Sequence, residues 1–253
     1  MLSLYICSAS LLVLSASLLK ISQAGQQAPT YTASLGKSNK CLSELNAARE
    51  AAGLPNFTEA TDGKKLSDPE QQLQEGSEWM KVCKHLVPTE QKDPVAAAGA
   101  TNPFQDGTYA FKSLTAAEPN CKETVDHWKA AFENFTGLPP SKTEGANLYK
   151  NQDNVSFVAL YNPSSDATAD CKVVTCTKAT ASEAALQSDS DQSSENGYAL
   201  ICKTMPSAFP DDKSPPFTQD QWNKIVSSLT GSASTVIPGF CALFIAVSSW
   251  IAL

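Results

Sequence analysis

The chain has 253 residues, of which 26 are acidic and 19 basic, so its net charge at neutral pH is −7. It contains two histidines and a single arginine. Proteins that bind nucleic acid need a clustered basic surface, and the sequence has no such cluster, so we exclude nucleic acid as a partner.

The first 24 residues have the features of a secretory signal peptide. They form a long apolar stretch that ends in Ser22-Gln23-Ala24, and small residues at the first and last of these positions suit signal peptidase. We therefore expect cleavage after Ala24, although a positively charged start is missing. Residues 25–37 then form a polar lead-in to one domain, residues 38–230, which is long enough to bury a sizeable core.

The first part of this domain is predicted to be helical. Apolar residues at helical spacing predict a helix over residues 39–52, which Pro55 follows. A second helix is predicted over residues 69–86, because Asp68 is a good N-cap and Pro69 suits the first turn.

The middle of the chain changes its pattern twice. Residues 87–118 hold several prolines and glycines, and we expect a long loop there with short pieces of helix or strand. A third helix is predicted over residues 121–135, where apolar side chains recur at spacings of four and three. The run NVSFVALYNP, residues 154–163, carries apolar residues on both faces and predicts a strand covered on both sides.

The last part of the domain is predicted to hold two strands and a helix. The strands span residues 170–177 and 197–206, and the serine-rich segment 179–197 is interpreted as a mobile surface loop that joins them as antiparallel neighbours. A short helix over residues 218–229 begins at the N-cap Thr218. This order predicts a layered α+β domain with helices on both sides of a sheet.

The chain ends in an uncharged apolar tail, VIPGFCALFIAVSSWIAL, residues 236–253. Small residues upstream of a short apolar tail are typical of the signal for a glycosylphosphatidylinositol (GPI) anchor. We expect residues 231–253 to form this signal and to be removed on maturation, with the anchor attached at Gly231 or Ser232. A single-pass tail anchor or a buried C-terminal helix is the alternative.

Six cysteines remain once Cys7 and Cys241 are removed with the two ends. In an oxidising compartment an even number predicts three disulfides, and the sequence leaves their pairing open. Cys171 and Cys176 would face opposite sides of a strand, so we expect them to bond to different partners. The absence of a CxxC pair disfavours a metal site. The six are Cys41, Cys83, Cys121, Cys171, Cys176 and Cys202.

Individual polar residues favour structural roles. Arg49 is expected to hydrogen-bond loop carbonyls and lock the layers together. His127 is expected at the rim of the core, and His85 at the end of the second helix, where a cation suits the helix dipole. Motifs of hydrolases, phosphate loops and zinc proteases are missing, so we predict a protein that is not an enzyme and needs no cofactor. Three sequons permit N-glycans where they are exposed: Asn56, Asn134 and Asn154.

Five segments carry a family resemblance: CLSELNAAREAAGLPNF, EGSEWMKVCKHL, CKETVDHWKAAFENFTGLPP, NVSFVALYNPSSDATADCKVVTC and GYALICKTMP. Together, over residues 40–206, they resemble the GPI-anchored surface antigens of Eimeria, a coccidian parasite. The resemblance implies a protein on the outer leaflet of the plasma membrane, held there by a GPI anchor. It also implies attachment of the invasive stage to host cells and exposure to host immunity.

A second set of positions follows a more distant pattern: Asn46, Arg49, Leu73, Trp79, Cys83, Cys171, Cys176, Cys202 and Pro206. This set resembles the CAP superfamily of cysteine-rich secretory proteins, antigen 5 and pathogenesis-related proteins. The resemblance implies a three-layer αβα sandwich around a mainly antiparallel sheet. Many CAP domains bind zinc through two His and two Glu, and one of these histidines comes from the central strand region. This chain has no histidine after His127, so the set of four ligands cannot form and we expect no metal site.

These observations together predict a monomeric adhesin on the cell surface. Its contact surface is expected to come from the long segments 87–118 and 179–197. A passive coat or immune decoy is one alternative, and it predicts no saturable host receptor. A lipid- or sterol-binding CAP-like module is another, and it predicts lipid that co-purifies with the folded domain.

Overall fold

The computed structural model describes residues 28–89, 104, 106–181 and 192–231. Within these ranges the helices are α1 (Leu42–Ala51), α2 (Glu78–Leu86), α3 (Cys121–Ala130), α4 (Gln152–Leu160) and α5 (Gln219–Thr230). The strands are β1 (Thr30–Leu35), β2 (Thr58–Glu59), β3 (Thr108–Leu114), β4 (Thr168–Ala181) and β5 (Gln192–Met205). The predicted signal peptide, and the predicted anchor signal beyond residue 231, lie outside the described residues and stay predictions.

The five strands form one sheet, in which four follow the order β1-β4-β5-β3 and β2 pairs with β4 outside this order. Three pairings are antiparallel, and the short β2 pairs with β4 in parallel. The centre of the sheet is a long hairpin, in which β4 and β5 pair from Thr168–Met205 to Ala181–Gln192. The predicted strands over residues 170–177 and 197–206, and the mainly antiparallel α+β fold, are therefore confirmed. The predicted mobile loop 179–197 is wrong at both ends, because residues 179–181 and 192–197 belong to the paired strands.

Alternation along the central strands divides the core into two clusters on opposite faces of the sheet. Cys171 and Val173 of β4 belong to a cluster with apolar residues of α1, α3, α4 and α5. Val174 and Cys176 belong to a second cluster, which contains the apolar side of α2. Helices therefore cover both faces of the sheet, as the sequence predicts.

Side-chain caps explain where two of the three confirmed helices begin, whereas α1 starts after Cys41 without a side-chain cap. The Asn120 side chain accepts a hydrogen bond from the Glu123 amide at the start of α3. Thr218 and Gln221 form a reciprocal capping box at the start of α5. The helices predicted over residues 39–52, 121–135 and 218–229 are thus confirmed with small shifts at their ends, and residues 131–134 continue α3 as a tighter 3-10 turn.

The predicted second helix is too long at its N-terminal end. Helix α2 begins after Ser77, whose hydroxyl accepts a hydrogen bond from the Met80 amide. Just before it, Gly76 has a φ of 82°, a left-handed conformation that cannot continue a helix. Asp68 and Pro69 therefore lie in an irregular segment rather than at a helix start.

The strand predicted over residues 154–163 is wrong, because this segment forms helix α4 instead. The Asn151 side chain caps it by accepting a hydrogen bond from the Asp153 amide. Phe157 and Leu160 are fully buried, as are the residues between them. Seven of its nine residues are buried, including polar ones, so the helix shows no single apolar stripe and its run VSFVAL resembles a buried strand.

Two strands lie where the sequence predicts irregular structure. Strand β1 falls inside the predicted polar lead-in, residues 25–37, so the domain begins earlier than expected. Strand β3 falls inside the predicted loop 87–118 and pairs with β5 along its whole length. In β1, Tyr31, Ala33 and Leu35 alternate with polar residues. This period of two is the feature of the sequence that indicates a strand.

The outer edge of β3 is sealed by side chains from the helical layer. The Gln152 amide donates a hydrogen bond to the Tyr109 carbonyl at 2.8 Å. The Phe111 amide donates to the Ser156 hydroxyl at 3.0 Å, and the Trp128 indole donates to the Phe111 carbonyl at 2.9 Å. These contacts satisfy backbone groups that an edge strand otherwise leaves open.

Three disulfides form among the described cysteines, as the sequence predicts, and one of them joins a helix to the sheet. They join the start of α1 to the start of α3, α2 to β4, and β4 to β5. The two cysteines of β4 bond to different partners because they lie on opposite faces of the strand. The pairs are Cys41–Cys121, Cys83–Cys176 and Cys171–Cys202.

Candidate interaction surface

The described start of one predicted contact segment, residues 87–89, lies beside the described ends of the other at one end of the sheet. We call this the loop-bearing end, and define it as residues 86–89 with the hairpin stem 177–181 and 192–197. The Tyr31 hydroxyl donates a hydrogen bond to the Val87 carbonyl at 2.8 Å. The Lys178 ammonium donates to the Pro88 carbonyl at 2.8 Å. The start of the first segment is thereby fixed against the sheet.

Close packing adds to these hydrogen bonds. A Cβ added at Gly197 would lie 2.7 Å from a methyl group of Val87 and 2.8 Å from the Leu86 Cβ, so no larger residue fits there without displacement. The disulfide between Cys83 and Cys176 joins α2 to β4 nearby. The loop-bearing end is therefore held by covalent, polar and steric contacts together.

The hairpin stem presents a polar surface. The Thr177 hydroxyl donates to the Asn196 side chain at 2.7 Å, and the Thr180 and Ser193 hydroxyls lie 2.7 Å apart. Residues 193–196 are exposed. Hydroxyl and amide groups on a paired backbone can form directional hydrogen bonds to a ligand with little loss of side-chain entropy.

A charged pair crosses the same stem. Lys178 and Glu195 lie opposite each other on β4 and β5, with their charged atoms 2.7 Å apart. The Glu195 side chain stays largely open to solvent, whereas the Lys178 side chain is mostly covered. The groups of the stem that are exposed to solvent are therefore one carboxylate and several neutral polar side chains. The remaining parts of the two predicted contact segments, residues 90–103, 105 and 182–191, lie outside the described residues.

Arg49 is not part of this surface. It lies on α1, in the helical layer on the other face of the sheet from α2, and hydrogen-bonds to neighbouring segments there. It is fully buried, and its Nε donates to the Pro55 carbonyl at 2.8 Å. Its Nη1 donates to the carbonyls of Leu160 and Asn162 at 3.0 and 2.9 Å. The guanidinium carbon also lies 3.8 Å from the centre of the Phe57 ring. The predicted role in binding loop carbonyls is confirmed.

Asn46, one turn before Arg49, completes the same arrangement. Its side chain accepts a hydrogen bond from the Phe57 amide at 2.8 Å and donates to the Phe57 carbonyl at 3.2 Å. The Asn-x-x-Arg pattern therefore fixes the segment that follows α1. Burial lowers the pKa of Arg49 to about 10, so the side chain keeps its charge at neutral pH.

The two histidines do not form a catalytic arrangement in the structure. His127 is half-buried, and its Nε2 lies 3.0 Å from a carboxylate oxygen of Asp153 on α4. His85 lies near the end of α2, with its ring 5.6 Å from that of Phe111. His85 lies in the last turn of α2, as predicted, and burial lowers its pKa below the usual value.

The buried side chains of Lys203 and Asp170 secure the segment before α2. The Lys203 ammonium donates to the Asp106 carboxylate at 2.8 Å and to the Lys65 carbonyl at 3.1 Å. This hydrogen bond from Lys203 lowers the pKa of Asp106. Asp170, which is almost fully buried, accepts a hydrogen bond from the Leu66 amide at 2.9 Å. These groups bind the protein's own backbone, which indicates a structural role.

Two shallow grooves lie away from the loop-bearing end. One, of about 260 Å³, separates α1, α3 and α5 and is flanked by Lys122 and Lys129. Both lysines are paired with Asp126. The other, of about 460 Å³, is lined by Pro163, Pro206 and neighbouring residues. Across the described ranges, no cluster of histidine, cysteine and acidic side chains could hold a metal ion.

The predicted modification sites differ in their exposure. Asn56 and Asn134 are exposed, so the condition for N-glycans is met at both. Asn154 is only 2% exposed and donates a hydrogen bond to the Leu148 carbonyl, so the folded domain does not offer this sequon to a glycan. Gly231 caps the end of α5, and Ser232 lies outside the described residues. None of the helices that the structure describes is long and apolar enough to cross a membrane.

Comparisons with known proteins agree with one another. A family model described as the sporozoite surface antigen (SAG) protein domain matches residues 37–244. The sporulated oocyst TA4 antigen of Eimeria tenella is 30% identical over 228 residues, which cover 84% of this chain and 87% of that protein. No solved structure matches the fold, so the likeness to CAP domains is not confirmed.

Proposed function

The chain belongs to the sporozoite surface antigen family of coccidian parasites, and from this membership we propose that it attaches the invasive stage to host cells through the loop-bearing end. As a member, it is a surface antigen of an Eimeria-type parasite. The function of such a protein follows from what it presents to the outside. Binding, rather than catalysis, is the mechanism that we propose.

The observation that carries the proposal is the rigid polar stem beside the start of a second long segment. The stem is tied to α2 by the Cys83–Cys176 disulfide, and exposed residues 193–196 lie beyond the part of β5 that β3 covers. A contact surface that is already ordered loses little conformational entropy when it binds. Binding residues in many proteins lie on loops that a rigid scaffold positions in this way.

The test is saturable binding of the oxidised protein to host epithelial cells, with a reduced and unfolded sample as control. Replacing Ser194 and Glu195 by arginine adds two long cationic side chains to the exposed stem. We expect this double variant to bind about ten-fold more weakly, because the new side chains block close approach and reverse the local charge. Its melting temperature should stay close to that of the unchanged protein.

The matched control is the double variant Glu59→Arg and Asp62→Arg. Both residues are exposed acids near the start of β4, at the other end of the sheet. If the two double variants bind equally well, the contact lies elsewhere on the molecule. If the oxidised protein shows no saturable binding at all, a passive coat or immune decoy is the better description. Lipid in the mass spectrum of the folded protein would instead support a lipid-binding module.

We also propose that the mature protein is held at the surface by a GPI anchor at Gly231 or Ser232. The support is the apolar C-terminal tail with small residues before it. Phosphatidylinositol-specific phospholipase C should then release the protein from cells. A chain that resists release and still contains Trp250 would show that the tail itself spans the membrane.

A further inference from the structure

The two edges of the sheet differ in whether other parts of the protein hydrogen-bond to their backbone groups. The β3 edge is closed by the side chains of Gln152, Ser156 and Trp128. The other edge is strand β1, which pairs only with β4 among the described strands. Its second side therefore offers backbone donors and acceptors for pairing with another strand.

The register identifies these backbone groups. The Gly36 amide donates to the Val173 carbonyl at 2.8 Å, so even-numbered residues of β1 direct their backbone groups toward β4. Odd-numbered residues direct theirs away from the sheet. Within the described part of the chain, no strand or side chain hydrogen-bonds to these outward groups. They belong to Tyr31, Ala33 and Leu35.

We propose that β1 is a self-association edge, on which the β1 strands of two copies of this chain pair antiparallel about Ala33. The sequence of the strand, TYTASL, contains no charge, although the chain as a whole has a net charge of −7. Like charges placed directly opposite each other destabilise a strand pair, and two copies of β1 bring none together. This proposal goes beyond host attachment and revises the expected monomer.

The strand is self-complementary in this register. Ala33 lies opposite Ala33 of the second copy, and Tyr31 lies opposite Leu35 on both sides of the two-fold axis. These three hydrogen-bonded pairs use every outward backbone group of the strand. On the α2 side of the sheet the half-buried Leu35 gains an apolar neighbour, because Tyr31 lies on the same face. On the other face, Thr32 lies opposite Ser34, which pairs one hydroxyl with another.

The size of the contact sets the expected strength. One short strand pair buries less than the roughly 1,200 Å² that specific stable interfaces bury. We therefore expect weak association in dilute solution and much stronger association where copies are concentrated on one surface. A weak contact of this kind is better detected by trapping the dimer with a covalent bond than by measuring the oligomeric state of the purified protein in dilute solution.

The test uses the full chain, expressed through a eukaryotic secretory pathway, with Ala33→Cys as the first variant. In the proposed register the Cα atoms at position 33 of the two copies lie about 5.5 Å apart, which is a distance that a disulfide bridges. We expect a disulfide-linked dimer on non-reducing gels, with the link between the two introduced thiols identified by mass spectrometry. The unchanged chain controls for exchange with the three native disulfides.

Two matched variants test the register. Thr32→Cys and Ser34→Cys should each trap about ten-fold less dimer alone than Ala33→Cys, because each lies diagonal to its own copy. Co-expressed, the two should give a mixed dimer, because Thr32 lies opposite Ser34 of the second copy. Adding Ala33→Pro should abolish this trapping, since proline has no N–H and the Ala33 N–H faces away from β4. The melting temperature should change little, which shows that the fold is kept.

Several results would overturn the proposal. Equal trapping by Ala33→Cys and Ser34→Cys would indicate random collisions. A mixed dimer that survives Ala33→Pro would indicate another mode of contact. Absence of trapping, combined with weaker host-cell binding by Ala33→Pro, would mean that the edge receives a strand from a different protein.

Discussion

The buried guanidinium of Arg49 shows how a single residue can hold three chain segments. It donates hydrogen bonds to the carbonyls of Pro55, Leu160 and Asn162, and it lies over the Phe57 ring. Removal of the side chain leaves these carbonyls without a donor in a buried site. A buried carbonyl that lacks a hydrogen bond lowers the stability of the folded state. Arg49 is therefore expected to contribute to stability mainly through the hydrogen bonds that it donates.

We expect Arg49→Ala to lower the free energy of unfolding by about 3 kcal/mol, from lost packing and unsatisfied carbonyls together. Denaturant titration of both proteins measures this difference. Arg49→Met is the matched variant, because it keeps most of the volume and removes only the donors. Host-cell binding by the folded fraction should be retained. Equal melting temperatures for Arg49→Ala and the unchanged protein would contradict the role.

His85 should make stability depend on pH. Burial lowers its pKa in the folded state below the usual value of about 6.5, so between these two pKa values the unfolded chain binds more protons than the folded one. The contribution of His85 to stability is therefore complete above about pH 6.5 and is lost as the pH falls through this window. In His85→Gln this part of the pH dependence should disappear. Denaturation midpoints between pH 5 and 8 measure it, and identical slopes for the two proteins would rule it out.

Whether a helix or strand can be predicted from its sequence depends on whether one of its faces is exposed to solvent. Helices α3 and α5 have one apolar face and clear caps, so their sequences indicate them directly. Helix α4 is buried over most of its surface and lacks a clear helical period, so its sequence predicts a strand instead. Strand β3 begins with three consecutive buried residues, so its sequence lacks the period of two that marks a half-exposed strand.

The sealed edge of β3 gives a direct prediction. In Ser156→Ala the Phe111 amide loses its acceptor, and we expect a loss of about 1–2 kcal/mol in the free energy of unfolding. Ser227→Ala is a suitable control, since this serine is exposed on α5 and bonds only to the carbonyl of Asn223 in its own helix. Its effect should be within about 0.5 kcal/mol of zero. Denaturant titrations compare the two, and equal effects would mean that water replaces the lost acceptor.

The contact of β5 with α2 gives a second prediction at this scale. Gly197→Ala places a methyl group against Leu86 and Val87, and we expect it to cost about 1–3 kcal/mol through overpacking. Gly137→Ala is the control, because a Cβ there meets nothing within 4 Å. Hydrogen exchange at residues 86–88 should increase in the first variant alone. Unchanged exchange there would show that the loop-bearing end adapts without loosening.

For the whole molecule, the disulfides differ in the length of chain that they close. Cys83–Cys176 spans 93 residues and Cys171–Cys202 spans 31. Because a longer closed loop restricts the unfolded chain more, replacing the first pair by alanine should cost about 1 kcal/mol more than replacing the second. Denaturation without reductant measures both variants. The reverse order would show that local packing, rather than chain entropy, decides the contribution.

The candidate surface could be predicted from sequence only in part. The hairpin that carries it follows from two alternating strands with a polar segment between them. That residues 86–88 lie against this hairpin does not follow, since the contacts of Tyr31 with Val87 and of Lys178 with Pro88 join positions 56 and 90 residues apart. Spacing along a sequence carries no signal for such contacts.

The assembly of the loop-bearing end from separate stretches of chain has a consequence for serology. Three stretches meet there, around Tyr31, around Val87 and along the β4–β5 stem. An antibody footprint covers about 800 Å², which is more than one short stretch offers. Antibodies raised by the native protein against this end should therefore recognise discontinuous epitopes. Linear peptides and reduced immunogens should elicit few antibodies against this end, so an antigen meant to present it needs its disulfides intact.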